Sequence, residues 1–333
     1  MSVLWENVLQ ALQEINSYGG NFFSFHISRA IIEQIDDGAA SGDVSLARAR
    51  ERLLGILRRA KWPDDADAFN AFFEHYHEAL FYLLARERGV RLEHIPESKA
   101  PTPDFETRPD ATERFEVKTI DISGGKFAHK KILQQSLAGS LASHEAARAT
   151  GIGFHELEVS PHGDAEDSKE AVEQVRQKLA QNVKEAQFDD KPTFLVAVMA
   201  RTALRTGPDE LKREYDDKQL GGRVSGHLWA IAANNLGQHF FDFDRDWQRH
   251  DFGPLNQEGV LKDFPFIRGI LFLSTEWSEL DSADRGHSDT LGRAYRLHGI
   301  WNSAYSGSAG VGNPYKSEFA KLCDSYVQTK DWS

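Results

Sequence analysis

The 333-residue chain holds a single cysteine, Cys323, which excludes an intrachain disulfide and a zinc site caged by thiolates. No apolar run is long enough to span a bilayer, and Met1-Ser2-Val3-Leu4-Trp5-Glu6-Asn7 lacks the basic segment and apolar stretch of a signal peptide. No membrane partner is therefore expected, and a cytoplasmic location is the default. Positive charge is in deficit, with 39 Lys and Arg against 51 Asp and Glu, a net of -12. That balance argues against nonspecific coating of nucleic acid. It leaves room for a local basic groove, because a chain average does not describe a cleft. Internal repeats, low-complexity tracts, a Gly-rich phosphate loop and a nucleophile elbow are all missing.

The length suffices for one large domain with a sizeable interior. Residues 1–62 read as a helical region without strands: Val8, Leu9, Leu12 and Ile15 recur at helical spacing, and so do Leu46, Leu53, Leu54 and Leu57. The second of these stretches carries Arg48, Arg50, Arg52, Arg58, Arg59 and Lys61, which predicts a solvated helix face, with contact to phosphate as the alternative. A longer helix is predicted over Ala66 to Arg88, opened by Pro63-Asp64-Asp65 and stopped by Gly89. Its apolar residues surround Glu78, so that carboxylate is expected to be partly buried and in need of a partner. Three strands then follow over Val90 to Ile95, Pro103 to Thr107 and Arg114 to Ile120.

After Gly124-Gly125 the pattern predicts a helix over Phe127 to Ala149 and a strand over Phe154 to Val159. An amphipathic helix over Asp167 to Gln187 buries Val172, Val175, Leu179 and Val183. Phe194 to Ala200, wholly apolar, predicts a central strand. His227 to Ala233 and Ile267 to Ser274 are read as further strands.

The chemistry-bearing residues concentrate in two of these strands. Side chains alternate along a strand, so Glu116 and Lys118 share one face while Phe115, Val117 and Thr119 point the other way, into a core. If the segment holding Asp104 pairs with that strand, two carboxylates and an ammonium converge at one place. Two carboxylates plus a phosphate oxygen suit Mg2+, a hard cation that prefers oxygen ligands and retains waters. The sequence holds four Pro-Asp pairs. Pro63-Asp64 and Pro208-Asp209 open helices and Pro109-Asp110 sits in a turn, which leaves Asp104 as the one in a strand.

A helix bearing a glutamate, three meandering strands carrying Pro-Asp and Glu-x-Lys, an amphipathic helix and a central strand together resemble the PD-(D/E)xK, or restriction-endonuclease-like, nuclease superfamily. The resemblance covers about residues 66–200. It implies an α/β fold, a mixed central sheet flanked by helices, with residues 63–200 as the nuclease-like core and 124–166 as an insertion. Residues 1–62 would be a helical amino-terminal region and 201–333 a mixed carboxy-terminal extension packed on the core. It also implies Mg2+-dependent hydrolysis of phosphodiester bonds in nucleic acid, DNA being favoured, with Mn2+ as a substitute. Asp104, Glu116 and Glu78 would hold the metal, and Lys118 would orient the attacking water and neutralise the phosphate. Double-strand cleavage by such single sites would call for a homodimer.

Lys126, His129, Lys130 and Lys131, and Gln177, Lys178, Gln181 and Lys184 on the later helix, are candidate phosphate contacts. Three other readings compete. Glu116 and Lys118 would also make an ordinary ion pair on an exposed sheet face, in a noncatalytic interaction or regulatory module that keeps the fold. His75 and Glu78 share a helix face and are zinc-ligand types, but the histidines of Glu74-His75-Tyr76-His77-Glu78 are two apart rather than four. Asp242-Phe243-Asp244-Arg245-Asp246 echoes a calcium loop, yet Trp247 stands where glycine is needed. An alternating strand with its acids facing water is expected there.

Overall fold

The computed structural model describes residues 2–16, 27–62, 65–96, 101–110, 112–121, 165, 167–181, 183–188, 191–202, 204–212, 223–243, 248–275, 295–306 and 314–332. Four helices come first: α1 (Val3–Asn16), α2 (Arg29–Ala40), α3 (Val44–Arg59) and α4 (Ala66–Glu87). Side-chain caps start three of them, since Ser28, Asp43 and Asp65 each accept a backbone N–H from the first turn. α4 ends at Gly89, whose φ of 74° lets the Val90 N–H close back on the Ala85 carbonyl at 2.9 Å. In α1 the buried stripe is Leu4, Val8, Ala11 and Leu12, whereas Leu9 is exposed. The expected inward Leu9 is thus corrected by one helical step.

The strands β1 (Leu92–His94), β2 (Phe105–Thr107), β3 (Arg114–Asp121), β4 (Thr193–Arg201), β8 (Gly269–Thr275), β9 (Tyr295–Trp301) and β10 (Ser325–Gln328) form one seven-stranded sheet in the order β1-β2-β3-β4-β8-β9-β10. β1, β2 and β3 run antiparallel in turn. β3, β4 and β8 are parallel, β9 returns antiparallel to β8, and β10 lies parallel to β9. The protein is therefore mixed α/β, with a mixed sheet flanked by helices. Strands from both sides of residue 200 share that sheet, because β4 pairs directly with β8.

Alternation along the strands sorts two cores. Phe115 and Val117 of β3, with Phe194, Val196 and Val198 of β4, pack against α1 to α4. Ile120, Leu195, Ala197 and Met199 face the other way, onto α5 (Ser168–Gln181) and α6 (His227–Ala233). β4 is apolar on both faces because it lies mid-sheet.

A small sheet of β5 (Arg223–Val224), β6 (His239–Phe243) and β7 (Arg249–Pro254) accompanies α6, followed by a short helix α7 (Val260–Asp263). Another short helix, α8 (Glu318–Leu322), packs on β9.

Three expectations are corrected here. His227 to Ala233 is a helix and not a strand: all of its residues are buried, so no polar side marked its period, and three of the seven are alanine. The helix predicted to reach Gln187 stops at Gln181, and Glu185–Gln187 forms a separate 3-10 turn. Asp242 does not face water. It is buried, with Oδ2 at 3.0 Å from His227 Nε2 and Oδ1 taking Arg205 Nη2. His227 Nδ1 accepts the Arg205 backbone N–H at 3.1 Å, so Nε2 carries the proton donated to Asp242.

Candidate acidic site where β2 leaves β3

The β2–β3 ladder pairs Phe105 with Phe115 and Glu106 with Arg114, and it ends there. One residue before Phe105, where β2 departs, Asp104 turns its carboxylate into the gap between the strands. Oδ2 accepts the Val117 N–H at 2.7 Å, while the Asp104 N–H donates to the Phe115 carbonyl at 3.1 Å. The register sets Asp104 opposite Glu116.

Glu116 is 3 % exposed. Its Oε1 accepts from Lys118 Nζ and, at 2.8 Å, from Gln187 Nε2. Lys118 keeps 22 % of its side chain exposed, so the ammonium joins a buried carboxylate to solvent. The structure thus brings Asp104, Glu116 and Lys118 together.

Glu78 approaches from α4. That helix is fixed over β3 by His77, whose Nδ1 lies 2.9 Å from Thr119 Oγ1, and by Phe81 against Phe115 at 5.5 Å between ring centres. The partner that Glu78 lacked in the sequence is His75, with Nδ1 at 3.2 Å from Oε2. Among the described residues no hydrogen bond joins Glu78 to Asp104 or Glu116, but its charge acts on both. Burial, then the charges of Glu116 and Glu78, holds the Asp104 carboxyl well above the ordinary range. Burial raises Glu116 as well, opposed by Lys118 and Gln187 and reinforced by Glu78.

A counter-charge or a proton relieves the cost of burying two carboxylates side by side. Glu116 Oε2 and Gln187 Oε1 are buried acceptors without a hydrogen-bond partner among the described residues. An unpaired buried carboxylate oxygen is costly unless a proton or a metal meets it. Two carboxylates are a sufficient protein share for Mg2+, which keeps waters and takes substrate oxygens. Among the described residues no group of three or more His, Cys, Asp and Glu is arranged to hold a metal ion. Asp104 and Glu116 are the two carboxylates that could hold a cation here, and Glu78 acts on both through its charge.

Sequence reasoning missed two contributors. Gln187, expected at the end of a long helix, lies in the separate 3-10 turn and reaches β3 from there. Its Nε2 also reaches the Thr102 carbonyl at 3.5 Å, so it ties Glu116 to the approach to Asp104. The basic helix α3 is not simply a solvated face. Arg48 Nη1 donates to His94 Nδ1 at 3.1 Å, and Arg50 pairs with Asp36. Arg48, Arg52, His94 and Glu78 line a cleft of about 20 Å³ over Phe105.

Lys178 and Gln181 are exposed on α5, whose buried face packs near β3. Lys126, Lys130 and Lys131, with the elements predicted over 127–149 and 154–159, lie outside the described residues. No helix among the described residues is long and apolar enough to cross a membrane. No protein-family model matches the chain, and neither a curated protein nor a solved structure matches it.

Proposed function

We propose that the chain is a metal-dependent nuclease with a restriction-endonuclease-like core, hydrolysing phosphodiester bonds in DNA. One observation carries the reading: Asp104, Glu116 and Lys118 meet where two strands part, with a buried Glu116 oxygen left for a cation. Asp104 and Glu116 would hold Mg2+ or Mn2+. Bound metal makes a water more acidic and offsets charge on a phosphate oxygen.

The remaining roles belong to the side chains. Lys118, anchored on Glu116 and partly exposed, orients the attacking water and neutralises the phosphate. Gln187 favours the charged form of Glu116 through a hydrogen bond, against the rise that burial causes. Arg48 and Arg52, which border the same small cleft as Glu78, are candidate contacts for a neighbouring phosphate of the strand.

The test is a panel of single- and double-stranded DNA and RNA incubated with Mg2+ or Mn2+, with and without chelator. Cleavage of DNA that disappears with chelator, and in Asp104→Ala and Lys118→Ala proteins, is the expected result. Absence of cleavage on every substrate, together with no divalent-induced rise in melting temperature, would sink the enzyme and favour a noncatalytic module.

A further inference from the structure

A cavity of about 540 Å³ opens at the far end of the main sheet, where β9 ends at Trp301 and the chain turns through Asn302 and Ser303. β9 stands three strand spacings from β3, about 14 Å, so this cavity is separate from the acidic site. Its volume lies in the range of small-molecule pockets, roughly 300–1,000 Å³. Trp229, Leu261 and Pro265 give it an apolar wall.

The polar lining is biased toward donors. Lys262 and Lys330 both border the cavity, and none of the described residues lining it is Asp or Glu. In a chain of net charge -12 such a lining is not the average surface. Two hydroxyl residues, Ser303 and Thr329, border it as well. Thr329 Oγ1 accepts the Ser303 N–H at 2.9 Å, and Ser303 Oγ accepts the Lys330 N–H at 3.3 Å. Each hydroxyl accepts one backbone N–H and still has its own O–H to donate. Lys262 Nζ is steadied by Asn235 Oδ1. Two ammoniums and two hydroxyl donors around an apolar wall match an anion that carries an organic body.

We propose that this cavity binds an organic phosphate of nucleotide size, with the phosphate at Lys262 and Lys330 and the organic body against Trp229, Leu261 and Pro265. The inference stands apart from the nuclease reading, because no residue of the acidic site takes part. A nucleoside phosphate reaches such a pocket either free or as one residue of a strand.

Calorimetric titration with AMP, dAMP, glucose 6-phosphate, inorganic phosphate and a 5′-phosphorylated trinucleotide separates these sources. At least one organic phosphate is expected to bind with a Kd below about 1 mM, with inorganic phosphate about tenfold weaker or more. A trinucleotide equal to the mononucleotide assigns a free ligand; one bound about tenfold tighter assigns a strand. Lys330→Glu removes a cation, and Ala304→Trp fills the mouth. Both positions are exposed, and unliganded melting checks that the variants stay folded. Each is expected to weaken binding about tenfold or more, and Asp104→Ala to leave it unchanged. Absence of binding by every organic phosphate, or unaltered affinity in both cavity variants, overturns the proposal.

Discussion

Gln187 Nε2 donates to Glu116 Oε1 at 2.8 Å, joining the 3-10 turn after α5 to the middle of β3. The contact does chemical as well as mechanical service, because it is one of the groups that hold down a carboxyl otherwise raised by burial. Gln187→Ala is expected to raise Glu116 further, since the lost bond favoured the charged form. In the proposed nuclease the acid limb of the pH–rate profile moves to higher pH, and the rate near neutrality falls. A purely structural role would lower stability without moving the profile.

The acidic site should oppose folding when no cation is bound. Unfolded, Asp104 and Glu116 titrate near the ordinary value of about 4; folded, both are raised, by burial first. Well below the ordinary value both states are protonated and the groups cost nothing. As pH rises through that value the cost grows, and it is complete above the folded value. Asp104→Asn and Glu116→Gln are therefore expected to melt higher than wild type at pH 8 without divalent ions, by about 1–2 °C for each kcal/mol recovered. The gap should close as pH falls toward the ordinary carboxylate value. Saturating Mg2+ should raise the wild type more than either variant. Melting curves that rank the wild type highest at pH 8 in chelator would contradict this account.

Asp242 behaves in the opposite sense. Burial pushes its carboxyl up, but the hydrogen bonds it accepts, that of His227 first and then those of Ser168 and the Phe243 N–H, outweigh burial and leave it below the ordinary range. Its contribution is present above the ordinary carboxylate value and is lost as pH falls through the folded one. Asp242→Ala leaves the His227 Nε2–H buried without its acceptor and removes a partner of Arg205, so a loss of about 1–3 kcal/mol is expected in denaturant unfolding near neutrality. The penalty should shrink in acid. An effect below 1 kcal/mol would mark the pair as surface-like.

What the sequence made legible followed from period and from punctuation. β3 was readable because Phe115, Glu116, Val117 and Lys118 alternate strictly, and α4 because Asp65 and Gly89 bracket it. His227 to Ala233 was not, since a run buried on every side has no polar face to report its period. Gln187 was hidden for another reason: a short 3-10 turn continues the spacing of the helix before it, yet redirects a side chain. The basic face of α3 showed its charge but not its neighbour, because the approach of Arg48 to His94 depends on how α3 packs over β1 and β2. Spacing along a chain reports faces; it does not report which elements meet.

The same limit bears on where the domain ends. Residues 201–333 carried no family pattern, which suggested an extension, yet β8, β9 and β10 continue the sheet that holds the acidic site. Gly299 of β9 measures how tightly they are built in. A Cβ there would lie 2.5 Å from Phe319 Cζ and 2.6 Å from Cys323 Sγ, on the side where α8 covers the strand. Gly299→Ala is therefore expected to cost about 1–3 kcal/mol through overpacking, and Phe319→Leu in the same chain to recover part of that loss. Because β9 pairs with β8 and β8 with β4, the destabilised protein should still unfold in one transition, with far-UV dichroism and tryptophan fluorescence coincident. Two separated transitions in the Gly299→Ala protein would instead mean that the carboxy-terminal strands unfold as a unit of their own, leaving β3 and its carboxylates standing.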